Sequence, residues 1–269
     1  MSLIRSLYLK RLAAIAAPKE REDLSQSAIV FAPHPDDETL GCGGTILRKK
    51  AAGAAVQIVF MTDGSRSHRK LMTTPELSAL RRQEAIAASH TLGVSAQEVT
   101  FLDFEDGQLQ ENFEAICDHI QILLQAHNPS EIYVTHPQEP HTDHAVLYWA
   151  AIAAVKTHSP QPTIYAYPVW YWRHWPWTQL ADSSKRETLR IVQTSLRHRL
   201  GTSAFRDFQH SVYVADVLPQ KRAALNRHRS QMERFENNPH WPILRDVAGG
   251  EFLDCFFQPY ELFYRPVAE

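Results

Sequence analysis

The 269-residue chain predicts an α/β fold: a Rossmann-like, mostly parallel sheet flanked by helices, with an aromatic and basic appendage toward the C-terminus. Three observations carry this. Short apolar runs alternate with amphipathic helical stretches from residue 28 to 156, the pattern of βαβ units with right-handed crossovers. Hydrophobic residues make up 44% and charged residues 22%, a globular balance that excludes disordered, collagen-like and coiled-coil classes. The two densest polar clusters, 33–38 and 136–144, each directly follow an apolar run, where parallel sheets collect their chemistry.

In chain order, residues 3–16 carry Leu3, Ile4, Leu7, Leu12 and Ile15 among basic residues, a helix expected to pack on the domain; peripheral contact with an anionic membrane surface is the alternative. Ala28 to Ala32 is a continuous apolar run stopped by Pro33, which reads as a buried parallel strand followed by a loop over 33–43. Helix 44–53, strand 56–61, helix 76–92 ending at Gly93, strand 99–102, helix 112–127, strand 132–135 and a helix over about 142–156 complete the alternation. Beyond 157 the rhythm changes. Aromatic residues crowd from Tyr165 to Trp177, and the basic run from Lys185 to Arg206 contains one acid, Glu187, so short strands and loops are expected there. A helix over about 219–235 and an aromatic strand over 252–263 close the chain. The whole reads as a single domain, 1–269, with its core at about 27–156 and 211–265 and a variable, substrate-facing appendage at about 157–210.

The formal charge of −2 argues against a chain whose main task is to coat nucleic acid phosphates. Three widely spaced cysteines, Cys42, Cys117 and Cys255, suggest neither a disulfide framework nor a zinc ribbon and fit a reducing, cytoplasmic setting. No apolar run has the ~20 residues of a membrane helix.

His34-Pro35-Asp36-Asp37-Glu38 sets an imidazole and three carboxylates on a turn stiffened by Pro33 and Pro35. His141-Thr142-Asp143-His144 opens a helix whose positions i and i+3 share a face. One His and one Asp from the first cluster with one His from the second make a two-His, one-carboxylate set with an open position, as in catalytic metal centres. Of adjacent aspartates in extended backbone, one ligates and the other is free to take a proton from a metal-activated water. The remaining His suits an oxyanion or a leaving amine. That is metal-assisted amide hydrolysis.

At these residues the chain resembles the metal-dependent de-N-acetylases of the PIG-L or LmbE-like family. The family's H-P-D-D-E signature stands at His34 to Glu38, followed by Leu40-Gly-Cys-Gly-Gly44, and its H-x-D-H at His141 to His144. Thr62-Asp63-Gly64, Arg81-x-x-Glu84, Lys221 to Leu225 and His228-Arg-Ser-Gln231 extend the likeness from Ile29 to Gln231, with a gap across 157–210. The resemblance implies that His34, Asp37 and His144 bind Zn2+, with Fe2+ or Co2+ suited to the same ligands. It makes Asp36 the general base and His141, with Asp143 behind it, the group serving the oxyanion and leaving amine. Arg81 would hold sugar hydroxyls, and Asp63 and His228 join it as substrate-binding candidates. Where some members carry a mobile Tyr, this chain has Glu139. Trp170 and Trp172 are candidates to stack on a sugar face. The implied activity is removal of an N-acetyl group from an N-acetylglucosamine-type sugar on a larger glycoside or glycolipid. The alternatives are an amidase acting on another glycoside amide conjugate and a non-catalytic, metal-containing sugar-binding protein.

Overall fold

The computed structural model describes residues 3–180 and 184–266, so positions 181–183 of the expected appendage and residues 1–2 and 267–269 of the expected single domain lie outside the described residues. From the N-terminus, α1 (Leu3–Ile15), β1 (Ala17–Pro18) and α2 (Arg21–Leu24) lead into β2 (Ala28–Ala32), α3 (Asp37–Ala51), β3 (Val56–Thr62), α4 (Thr74–Thr91) and β4 (Val99–Phe104). Then come α5 (Phe113–His127), β5 (Glu131–Thr135), α6 (Thr142–Lys156) and β6 (Thr163–Tyr167). The remainder holds α7 (Lys185–Arg197), α8 (Ala204–Asp207), β7 (His210–Tyr213), α9 (Leu218–Leu225), α10 (Arg229–Met232), α11 (Glu251–Asp254) and β8 (Tyr260–Phe263).

Five strands form one parallel sheet in the order β4-β3-β2-β5-β6. β2 is buried throughout, and its alternate residues feed two cores. Val30 and Ala32 join the side covered by α3, α4 and the C-terminal segments, while Ile29 and Phe31 join the side covered by α5 and α6. The chain runs outward from β2 through β3 to β4, then returns to β5 on the other flank. The strand order therefore reverses between β2 and β5, and a crevice opens at their carboxyl ends.

Four expectations are corrected. The glycine-rich stretch is not a loop: α3 starts at Asp37, because Asp36 makes the turn at φ 124° and the glycines admit close neighbours. A Cβ on Gly41 would fall 2.1 Å from the Tyr167 ring. The segment after 157 contributes β6 to the main sheet, and the basic run is the helix α7, whose N-terminus is capped by Ser184 accepting from the Glu187 N–H at 3.2 Å. The 219–235 helix is broken into α9 and α10, since the Ser230 N–H and hydroxyl donate to Glu84 at 2.7 and 2.6 Å and hold the chain away from a continuous helix. Within 252–263 only Tyr260–Phe263 is a strand, antiparallel to β7. Phe252 instead turns inward on α11 and stacks on Trp170 at 4.7 Å between ring centroids.

The N-terminal helix packs on the domain: Leu12 is buried, Tyr8 meets Trp177 and Phe205, and Arg5 donates to the Glu251 carbonyl at 3.0 Å. Among the described residues no helix is long and apolar enough to cross a membrane.

Candidate active site

Three loops leave the carboxyl ends of β2, β4 and β5 and meet in the crevice. The first, Pro33 to Asp36, has to bend sharply into α3. Asp36 does so with φ 124° and ψ −26°, a conformation disfavoured for a residue with a Cβ and costing on the order of 1–3 kcal/mol. Its neighbour Asp37 turns back on the loop and accepts the His34 N–H at 3.0 Å. The second loop carries Asp106 and Gly107. The third ends at His141, with Asp143 and His144 in the first turn of α6, where Thr135 donates to the His144 carbonyl at 2.8 Å.

These local geometries bring His34 Nδ1, Asp37 Oδ2 and His144 Nε2 together in a nearly equilateral triangle, with sides of 3.2, 3.2 and 3.3 Å. Ligand bonds of ~2.0–2.2 Å at tetrahedral angles would separate neighbouring donors by about 3.3–3.6 Å, so the triangle is close to the dimensions of three ligands on one ion. Two wider groupings of possible ligands, His34 with His141 and His144 and His34 with Asp106 and Asp143, keep their atoms within 4.8 Å. In the second, both carboxylates sit on the other ring nitrogen of His34, Nε2, at 3.2 and 3.3 Å. That is the place of groups that orient a ligating imidazole.

Charge follows this arrangement. Burial opposes ionisation of Asp37, but His144 and His34 beside it hold its carboxyl well below the usual carboxylate range. Burial pushes Asp36 up to about 7, against the pull of Arg81 at 3.4 Å. Burial alone would lower His144; Asp37 and then Glu139, 3.3 Å from Nδ1, carry it up to about 9. His141 goes the other way, brought down to about 4 by burial and by the neighbouring His34 and His144, and its buried Nδ1 has no partner among the described residues.

A cavity of about 280 Å³ opens on these groups. His34, Asp36, Asp37, Arg81, Asp106 and His141 are among its polar lining, with Arg66, Ser67 and Gln231 beside them, and Leu40, Val169, Trp170 and Leu244 form its apolar wall. Of the residues expected from the sequence, Arg81 reaches the cavity with two nitrogens spent on the Gly64 and Pro35 carbonyls. Three others are not among its lining. Asp63 accepts the Ser65 and Asp106 N–H groups, His228 is buried against Glu38 at 3.0 Å, and Trp172 is buried in the core. Asp143 binds the Gly107 and Leu109 N–H groups and His34, and reaches His141 through its charge and not through a hydrogen bond.

One site residue, Asp106, was missed, and a second, Glu139, was named without a role. Asp106 follows a parallel strand just as the recognised clusters do, and an acid before Gly107 at that position was the available signal. Glu139 stood out only as a departure from the family's Tyr, with no sign of its role: its carboxylate accepts the N–H groups of Val169, Trp170 and Tyr171 at 2.7, 2.7 and 3.1 Å, contacts made across 30 to 32 residues of sequence.

Comparison with known proteins agrees with this picture. The PIG-L model, described as GlcNAc-PI de-N-acetylase, matches residues 29–155, which span both histidine clusters. The diacetylchitobiose deacetylase of Thermococcus kodakarensis is 30% identical over 227 residues, covering 83% of this chain and 76% of that protein. The chain belongs to the PIG-L family of deacetylases. A second relative, a probable N-acetyl-alpha-D-glucosaminyl L-malate deacetylase of Bacillus cereus, is 26% identical over 239 residues, covering 86% of this chain and 95% of the relative. The family fold is shared by the N,N'-diacetylchitobiose deacetylase structure from Pyrococcus horikoshii, with a TM-score of 0.62 at 22% identity, covering 90% of this chain and 84% of that one.

Proposed function

We propose that the protein is a zinc-dependent hydrolase that removes an N-acetyl group from an N-acetylglucosamine-type sugar on a larger conjugate. The observation that carries the reading is the His34, Asp37, His144 triangle with Asp36 facing the same cavity but standing outside it. The relatives' names support the sugar and the acetyl group.

His34, Asp37 and His144 hold the ion, and Fe2+ or Co2+ suits the same donors. When bound, it supplies Lewis acidity toward the amide carbonyl and lowers the pKa of the attacking water. Asp36, with its carboxyl raised to about 7, accepts the water's proton near neutral pH and returns it to the leaving amine. His141 is neutral at that pH and directs a ring N–H at the developing oxyanion. Asp106 and Asp143 fix the ring of His34. Trp170, Val169 and Leu244 keep bulk water from one side of the sugar. A purely sugar-binding protein has no use for Asp36, a strained acid outside the ligand triangle. The three cysteines are unpaired, which supports a cytoplasmic setting.

Zinc-loaded protein should release equimolar acetate and free amine from N-acetylglucosaminides, read by amine-reactive fluorescence and acetate assay. Release that is insensitive to chelation and to His144→Ala would overturn the reading.

A further inference from the structure

The loop between β3 and α4 carries three exposed cations, Arg66, Arg69 and Lys70, and none forms an ion pair among the described residues. Of the three, Arg66 lines the cavity. Its position is built from both sides. The Arg66 N–H donates to Asp106 Oδ2 at 3.0 Å, while Oδ1 of the same carboxylate lies 3.2 Å from His34 Nε2. Its guanidinium lies over Gly107, at φ 83°, where a Cβ would come within 1.9 Å of Nη1. Beyond it the loop is fastened by His68, which donates through Nε2 to the Pro242 carbonyl at 2.8 Å and stacks on Trp241 with centroids 4.2 Å apart.

The cavity interior is lined by the carboxylates of Asp36, Asp37 and Asp106, which repel anions. Arg66 offsets that field on one side, with a planar fork that matches a carboxylate or a phosphate. We infer that Arg66 binds an anionic group beyond the sugar that bears the acetamide, so that the site prefers acidic glycosides to neutral ones. The inference rests on the deacetylase reading above for the identity of that sugar.

Three N-acetylglucosaminides that differ only beyond the anomeric oxygen test it: the methyl glycoside, the carboxymethyl glycoside and the 1-phosphate. Wild-type protein loaded with zinc should give at least about tenfold higher kcat/KM for one acidic compound than for the methyl glycoside at low salt, carried by KM and fading as salt rises. Which acid is preferred distinguishes carboxylate from phosphate. Arg66→Gln should bring the ratio within about threefold of one, and Arg66→Lys, which keeps the charge but loses the fork, should fall between. Equal rates on acidic and neutral compounds, or a preference that survives Arg66→Gln, would overturn the assignment. If no compound is hydrolysed, the deacetylase reading fails separately. Calorimetric titration of the same compounds then decides on Arg66: tighter binding of an acid that Arg66→Gln abolishes supports it, and equal or absent binding overturns it.

Discussion

Asp36 and Asp37 are neighbours with opposite surroundings, because the backbone reverses at Asp36 and sends one carboxyl toward Arg81 and the other between two imidazoles. Asp36→Asn keeps the shape and all three proposed ligands, so metal content should hold while turnover falls ~10²–10⁴-fold. Metal analysis beside steady-state rates checks this, and loss of metal would exchange the two roles. Glu139 offers a second test. Its carboxylate holds three N–H groups of the loop after β6 and approaches His144 Nδ1. Glu139→Gln places an amide donor among those donors, and a cost of about 1–3 kcal/mol is expected in chemical unfolding. Metal affinity should fall ~10–100-fold if the contact with His144 orients that ligand. A lower stability with unchanged affinity would confine Glu139 to holding the loop.

At the scale of elements, α3 pays for its close approach to β6 with glycines. Tyr167 cannot move aside, since its hydroxyl donates to the Phe31 carbonyl at 2.8 Å. Gly41→Ala should therefore destabilise the fold: overpacking costs ~1–3 kcal/mol, whereas the gain in helix propensity is ~1 kcal/mol at most. Gly43→Ala is the control. Its added Cβ would meet Lys221 Cγ at 3.1 Å, a milder contact than the 2.1 Å at Gly41, so its melting temperature should change less. Equal shifts at both positions would mean that helix propensity, not the contact with Tyr167, governs α3.

Over the whole molecule, three buried histidines hold the segment after β6, His136 against the end of β5 and His174 and His198 within the segment itself. His136 packs on Tyr171 and Phe208, and His174 stacks on His198 with centroids 4.5 Å apart. Burial brings them down to about 3, 3 and 4 respectively, so they are neutral in the fold at pH 5. In the unfolded chain they bind protons below about 6.5. The unfolded state then holds more protons, and stability present above about pH 6.5 is lost progressively as pH falls toward 4. His141 adds to this trend in the same window, while Asp36 and the raised His34, His144 and His228 oppose it; the gain from the raised histidines is complete by about pH 6.5, and below that the four lowered imidazoles outnumber Asp36 and set the sign. Urea midpoints at pH 7.5 and 5 should show the lower value at pH 5, and an equal or higher midpoint would mean that these imidazoles are protonated inside the fold.

The sequence by itself determined the parallel βαβ core, the places where chemistry gathers, and six residues that meet there: His34, Asp36, Asp37, His141, Asp143 and His144. Each of these depends on short-range pattern, the apolar run that makes a strand and the polar cluster that must then sit at its end. Only the tertiary structure decided what those clusters meet. The order β4-β3-β2-β5-β6 brings Asp106 to His34, and the loop after β6 brings three N–H groups to Glu139, through contacts between segments that share no local pattern. It also overrode local propensity. Gly41 and Gly43, which read as a loop, lie in a helix, where their missing side chains leave room for Tyr167 and Lys221. Trp172, an expected sugar platform, went into the core, where burial of its large apolar surface outweighs exposure at a site. Strand order and close packing depend on the whole chain at once, which is why no window of the sequence contained them.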